Sequence, residues 1–250
     1  MTRTAPTRPL IIIPARMAST RLPGKPLADI HGLPMIVQVV RRAEAAQLGP
    51  VWVACGEPEI AHAVENAGGK AVLTNPAHPS GSDRIFEALQ TIDPAGQYDA
   101  ILNVQGDLPT VEAATIQAIF ALLGTPDVDI STAIAPIREE ADRLNPAIVK
   151  AVVELPEGAR SGRALYFSRA VVPANAGPHY HHIGLYGYRR DALERFVKTP
   201  PAVLEQREKL EQLRALALGM RLEAALVAEV PLGVDTPAEL ALAREMLKGK

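Results

Sequence analysis

The chain has 250 residues, 48% hydrophobic and 22% charged, a composition that excludes disordered and fibrous proteins. Its 26 basic and 28 acidic side chains leave a formal net charge of −2, which offers no footprint for nucleic acid or an anionic membrane surface. Cys55 is the single cysteine, so an intramolecular disulfide is excluded and a reducing compartment is expected. No apolar run approaches the ~18 residues that cross a bilayer. Only Leu10 to Ile13 follow the polar start as an apolar run, too short for a secretory signal, so a cytoplasmic protein is expected.

The first half alternates short β-branched runs with amphipathic stretches. Leu10–Ile13 reads as a buried strand, apolar on both faces. A polar loop runs from Pro14 to about Pro34, and Met35 to Gln47 carries apolar residues at helical spacing. Val51–Cys55 predicts a second strand, Glu59 to Ala67 a helix, and Ala71–Leu73 a third strand. Arg84 to Ile92 predicts a helix, and Tyr98 to Val104 a fourth strand ending in Gln105-Gly106-Asp107. Strands alternating with helices imply parallel βαβ units, and hence an α/β fold with a doubly wound, mostly parallel sheet through about residue 135. Ligands of such sheets bind at the carboxyl ends of the strands.

The middle differs. Ile130 to Ala135, Val149 to Glu154, Ala164 to Phe167 and Ile183 to Tyr188 are strand-like with few helices between them, predicting an inserted antiparallel β lobe over about 130–200. Glu208 to Leu218 and Pro237 to Leu247 read as helices around a short strand near Leu226 to Val230. With no repeat, low-complexity tract or clean linker, one domain over residues 1–250 is expected.

The densest polar signal is Pro14-Ala-Arg-Met-Ala-Ser-Thr-Arg-Leu-Pro-Gly-Lys-Pro26. It places Arg16, Arg21 and Lys25, with two hydroxyls and a glycine, at the carboxyl end of the first strand. A triphosphate needs several positive donors on a loop able to curl around it; a solvated basic loop is the plainer reading. The spacing matches neither a Walker A loop nor the Gly-x-Gly-x-x-Gly of nicotinamide dehydrogenases. Asp107, just after a buried strand, is either a turn former or a cleft carboxylate. With Asp235, read as similarly post-strand, it has the oxygen ligands for one hard divalent cation, although nothing in the spacing shows that the two meet.

This loop resembles the signature of sugar nucleotidyltransferases, and more narrowly that of the 3-deoxy-manno-octulosonate (Kdo) cytidylyltransferase family. Similar blocks recur at Ser80-Gly-Ser-Asp-Arg84, Asn103-Val-Gln-Gly-Asp107, Ala164-Leu-Tyr-Phe-Ser-Arg169, His182-Ile-Gly-Leu-Tyr-Gly-Tyr188, Lys209-Leu-Glu-Gln-Leu-Arg214 and Gly233-Val-Asp-Thr-Pro237. The resemblance implies a nucleotide-diphospho-sugar transferase-like fold that activates Kdo with CTP to CMP-Kdo and pyrophosphate, for lipopolysaccharide biosynthesis, in a protein that forms a homodimer. It implies catalytic roles for Arg16, Lys25, Asp107 and Asp235, the two aspartates holding Mg²⁺. Arg16, Ser19, Arg21, Lys25, Ser80, Gly81, Arg84 and Gln105 would bind the nucleotide. Arg169, His182, Tyr186, Glu211 and Gln212 would bind the sugar acid.

Each has a plainer reading too. Ser80 or Ser82 is an N-cap candidate, Glu211 and Gln212 suit a solvated helix face, and Tyr186 suits a core aromatic. His179, His181 and His182 have no Cys or fourth ligand nearby, which argues against zinc. The sequence departs from the family at Leu108, where Glu is common, and at Cys55-Gly56-Glu57, where Thr-Asp is usual. The short uncharged Val171–Pro178 stretch stands where relatives often carry a longer loop with another arginine. Synthetases for sialic acid or an amino-substituted Kdo, and a non-catalytic nucleotide-binding protein, are the competing expectations.

Overall fold

Leu10 to Ile13 lose all solvent contact because their strand is central in its sheet and helices pack against its side chains. In the computed structural model, which describes residues 3–175 and 177–249, β1 (Pro9–Ala15) pairs in parallel with β4 (Val51–Cys55) and β6 (Ala100–Asn103). The chain leaves β1 through the polar loop, forms the small hairpin β2 (Asp29–Ile30) and β3 (Leu33–Pro34), and enters α1 (Met35–Glu44). Then follow β4 (Val51–Cys55), α2 (Pro58–Asn66), β5 (Ala71–Leu73), α3 (Gly81–Ile92) and β6 (Ala100–Asn103). The strand order β5-β4-β1-β6 is parallel throughout.

The chain divides into two compact units. One comprises Thr7–Gln117 with Pro231–Lys250, the other Met1–Pro6 with Ala118–Val230. The first holds the parallel strands just described. It is completed by α9 (Pro237–Met246), whose Leu240 and Ala243 pack with Ile30, Met35 and Val234 in one buried cluster. Each fully buried Leu or Ile contributes about 1.5–3 kcal/mol to such a core. Pro237 begins this helix, and Thr236 with Glu239 forms a reciprocal capping box.

The chain passes between the units in α4 (Ala113–Leu122), a helix that the sequence reading did not mark. The second unit contains β7 (Ile130–Pro136), α5 (Glu140–Leu144), β8 (Lys150–Glu154), β9 (Ser161–Ser168), β10 (Tyr180–Arg189), α6 (Arg190–Lys198), α7 (Val203–Glu208), α8 (Leu213–Ala217) and β11 (Leu222–Leu226). All antiparallel strands foreseen between about 130 and 200 fall here. Their order is β10-β7-β11-β9-β8, with β8 pairing back onto the start of β10. Only β11 and β7 run parallel. The β7–β10 register shifts between Ile183 and Tyr186, a bulge that re-aims the side chains after it.

Two sequence expectations need correction, and one further helix escaped the sequence reading. The helix expected over 208–218 is broken, because Lys209 adopts a left-handed conformation with φ 56° and ends α7. The strand expected near Leu226 to Val230 ends at Leu226. Leu222, Ala224 and Ala225 are the buried residues that hold it. Helix α6 was missed altogether, although Ala192, Leu193 and Phe196 form its buried face. No helix among the described residues is long and apolar enough to cross a membrane.

Candidate nucleotide and metal site

Each side chain in the Thr7–Gln117 unit is placed by a local feature of the loop that carries it. Gly24 takes the left-handed conformation, φ 68°, that a tight turn before Lys25 requires. Pro26 then starts a single 3₁₀ turn, Lys25–Leu27, which turns Lys25 inward. Asp107 follows β6 across Gly106. A Cβ on Gly106 would lie 2.8 Å from the Pro14 carbonyl oxygen and 3.2 Å from Ile36, so only glycine lets the two loops touch. Gly106→Ala should therefore cost about 1–3 kcal/mol of stability. A thermal unfolding midpoint unchanged from the parent would refute that packing argument.

Asp235 is not immediately post-strand as the sequence suggested: β11 ends at Leu226, and Asp235 stands just before the Thr236 cap of α9. Its backbone N–H and that of Thr236 both donate to Glu239 Oε2 at 2.8 Å. The Val234 N–H donates to the Asp107 carbonyl at 3.0 Å. That one bond carries Asp235 to Asp107 across the long sequence gap.

The two carboxylates converge on Lys25, whose Nζ lies 2.7 Å from Asp107 Oδ2 and 2.9 Å from Asp235 Oδ1. Arg21 donates to Asp235 Oδ2 at 2.8 Å. Burial alone would lower the Lys25 ammonium, but Asp107 and then Asp235 outweigh it and raise it above its ordinary value. Burial would likewise raise the Asp235 carboxyl, yet Lys25 and Arg21 hold it below the ordinary value. Lys25 is thus a permanent cation and Asp235 a permanent anion at neutral pH.

These groups line a cavity of about 780 Å³ together with Arg16, Ser19, Ser80, Gly81, Arg84 and Gln105. All ten residues expected to bind nucleotide or metal meet there. Ser80 caps α3 while facing the cavity, accepting from the Asp83 N–H at 3.1 Å and donating to Asp83 Oδ2 at 2.7 Å. Arg84 is nearly buried in the wall and donates to Thr74 Oγ1 at 2.7 Å and the Pro76 carbonyl at 3.4 Å. Burial lowers its guanidinium below the ordinary value. Gln105 donates to Asn103 Oδ1 at 3.4 Å. Leu108, where the family commonly has Glu, is buried beside Gly233.

The oxygen-only donors Asp107 and Asp235 fit a hard divalent cation, which takes one or two carboxylates and completes its shell from water and phosphate. No cluster of three or more His, Cys, Asp or Glu side chains suited to a metal occurs among the described residues.

The residues expected to bind sugar all lie in the 118–230 unit. His182, Gln212 and Tyr186 form one group there. His182 is buried, its Nε2 3.0 Å from Thr132 Oγ1 and its Nδ1 3.3 Å from Gln212 Nε2. Burial, and then His181, push the ring down to about 3. A neutral ring with N–H at Nε2 satisfies both contacts: it donates to Thr132 and accepts from the Gln212 amide. The half-buried Tyr186 ring lies 5.6 Å from His182, centre to centre, and its phenol is raised well above the ordinary value, chiefly by burial. Arg169 lies apart from this group, donating from Nε to the Glu208 carbonyl and from Nη1 to the Pro146 carbonyl, both at 3.1 Å. Glu211 lies 3.8 Å from Arg214. In the Val171–Pro178 loop, Ala176 lies outside the described residues.

The model of the cytidylyltransferase family matches residues 10–222. This chain belongs to the cytidylyltransferase family. It is 65% identical to a 3-deoxy-manno-octulosonate cytidylyltransferase of Paramagnetospirillum magneticum, over 96% of this chain and 98% of that one. It is 61% identical to one of Rhodospirillum centenum, over 97% and 95%. Among solved structures it resembles a CMP:2-keto-3-deoxy-manno-octonic acid synthetase complexed with CTP, with TM-score 0.88, 37% identity, and coverage of 96% and 98%. A nucleotidyl transferase of Methanothermobacter thermautotroptrophicus, 14% identical with TM-score 0.62, shares the fold over 96% and 97% of the two chains. Both likenesses fit an α/β fold of parallel and antiparallel strands. Cytidylyltransferases of this kind generally use a divalent metal.

Sequence reasoning missed two functional candidates of this cytidylyltransferase. His78 lines the cavity and pairs through Nε2 with Glu87, which also accepts the Asn75 N–H at 2.9 Å. Its signal was its place two residues before Ser80. Thr132 orients His182, and its signal was a hydroxyl inside an otherwise apolar strand.

Proposed function

We propose that this chain activates Kdo with CTP, joining the sugar acid to CMP and releasing pyrophosphate. The observation that carries this reading is the meeting of Lys25, Asp107 and Asp235 at one end of a cavity lined by Arg16, Arg21 and Ser80. The high identity to Kdo cytidylyltransferases supports the substrate.

The anomeric hydroxyl of the sugar acid bonds to the α-phosphorus, the bond from that phosphorus to the oxygen bridging to the β-phosphate breaks, and the hydroxyl proton passes to solvent water. Pyrophosphate leaves with the electron pair. Arg16, Arg21 and Lys25 neutralise the charge gathering on the phosphates, which stabilises the transition state electrostatically. Gly81 lets the nucleotide approach the wall, and Gln105 supplies an amide able to donate to or accept from cytosine. Asp107 and Asp235 would hold a divalent ion, Mg²⁺ by its preference for carboxylate and phosphate oxygens. When bound, it lowers the pKa of a coordinated hydroxyl and shields phosphate charge. On the sugar side, Arg169 is the cation for the carboxylate. Tyr186, Glu211 and the His182–Gln212 pair supply mixed donors and acceptors for hydroxyls.

The site's location follows from a doubly wound arrangement. The path β1, β4, β5 runs outward and then returns across to β6. Right-handed crossovers would therefore put α3 on the face opposite α1 and α2. Such a reversal opens a crevice at the carboxyl ends of β1 and β6, where the basic loop and Gln105–Asp107 begin. The continuous family match over 10–222 supports reading the two units as one nucleotidyltransferase domain with an inserted lobe. A cytoplasmic homodimer fits the same reading: Cys55 is buried and unpaired in a disulfide, and Leu144, Leu165 and Val203 are exposed.

Pyrophosphate release from CTP, measured with Kdo, amino-substituted Kdo and sialic acid, tests the substrate. Kdo should give the highest kcat/KM; faster turnover of either alternative rejects the assignment. Arg169→Ala should raise KM for the sugar acid by about tenfold or more and leave that for CTP within about twofold. Equal losses would contradict the division of labour.

A further inference from the structure

Two cations bond the carbonyls of the Asn145–Ile148 turn. Lys150, the first residue of β8, is wholly buried, and its ammonium donates to the carbonyls of Asn145 at 2.8 Å and Ile148 at 2.7 Å. Arg169 donates to the Pro146 carbonyl of the same turn. The strand register sets Lys150 opposite Ser168, the neighbour of Arg169, and opposite His181, the neighbour of His182.

A buried ammonium is costly unless its charge is compensated. Yet the described ion pairs include no carboxylate on Lys150, and its neighbour Arg169 is a like charge that, after burial, holds it below its ordinary value. Glu208 is the nearby anion, and its carboxylate is taken by Ser168 Oγ at 3.0 Å and the Arg169 N–H at 3.2 Å. Lys150 and Arg169 thus bring two cations to this turn, and the side-chain donors of both are spent on backbone carbonyls rather than on carboxylates. An arriving carboxylate would relieve that imbalance.

We propose that Lys150 is a positioning residue for the sugar-acid half of the reaction: it locks the Asn145–Ile148 turn so that the Pro146 carbonyl aims the Arg169 guanidinium, and its enclosed charge strengthens the pull on the substrate carboxylate. This inference rests on Arg169 being the carboxylate cation.

The test is steady-state kinetics of the full-length protein with CTP and Kdo. Lys150→Met keeps the length of the side chain and removes the charge and both donors. It should raise KM for Kdo by about tenfold while KM for CTP moves by less than about twofold. In an Arg169→Ala background it should add less than about twofold, since the two residues act as a unit. If Lys150→Met does not fold, Lys150→Arg carries the test, because the bulkier planar guanidinium does not fit the fully enclosed place of the ammonium without shifting the turn. That variant should raise the Kdo KM by about threefold or more and leave CTP alone. An unchanged Kdo KM, equal shifts in both KM values, or full additivity with Arg169→Ala would overturn the proposal. Should Arg169→Ala itself leave the Kdo KM unchanged, the sugar-side reading falls first. If Arg169→Ala raises it and the Lys150 variants do not, only the role of Lys150 falls.

Discussion

Asp107→Asn should lower kcat by about 10²–10³-fold while leaving the protein folded. The amide keeps the size of the carboxylate and loses its charge, and with it one of the two anionic oxygen donors in the cavity. Lys25 retains Asp235 at 2.9 Å, and Val234 still bonds the backbone carbonyl of residue 107. The fold therefore loses little, because a partly exposed ion pair contributes only about 0–1 kcal/mol. Pyrophosphate release at saturating substrates measures the effect, and a thermal melt separates it from unfolding. Turnover within a few-fold of the parent would remove Asp107 from the catalytic group.

Lys25→Met should cost about as much in kcat, about 10²–10³-fold, because the charge it supplies matters most when phosphate charge builds. An effect confined to KM would mean that Lys25 merely binds. The same substitution leaves Asp107 without its lysine and Asp235 bonded to Arg21, and it changes the acid limb of stability. In the parent, Asp235 lies below its ordinary 3.8: burial pushes upward, but Lys25 and Arg21 prevail. Its stabilising contribution is therefore present above that value and fades as pH falls through the lower folded value. Lys25 lies above its ordinary 10.5 because its two carboxylates outweigh burial. Its contribution is full below 10.5 and is lost as pH rises through the higher folded value. Melting temperatures of Lys25→Met should be less sensitive to pH at both extremes. Identical acid and alkaline slopes in parent and variant would refute the ion-pair account.

Local chemistry made the parallel strands legible. β1, β4 and β5 are short runs with β-branched residues near glycine or proline, and β1 is apolar on both faces because helices as well as neighbouring strands enclose it. The basic loop was equally visible, since its charges lie in one stretch. What could not be read was convergence. Asp107 and Asp235 meet through a backbone bond from Val234, and no periodicity encodes a contact of that range. The break between α7 and α8 was hidden because Lys209 looks like any helix former, and only its positive φ gives it away. Nothing in the sequence paired His182 with Gln212, which suited a solvated helix face and is instead buried against the ring; the partner that orients the ring, Thr132, is a buried hydroxyl without a motif around it.

The bond from Val234 to Asp107 also sets the order in which the parts of this cluster can come together during synthesis. Lys25 and Asp107 leave the ribosome early, whereas Asp235 is translated more than a hundred residues after Asp107. A nascent chain that has already formed its basic strap and central strand still lacks the second carboxylate that Lys25 bonds. The Lys25 cluster is thus closed only once Asp235 has been made, and a chain cut short before it keeps Lys25 with Asp107 alone.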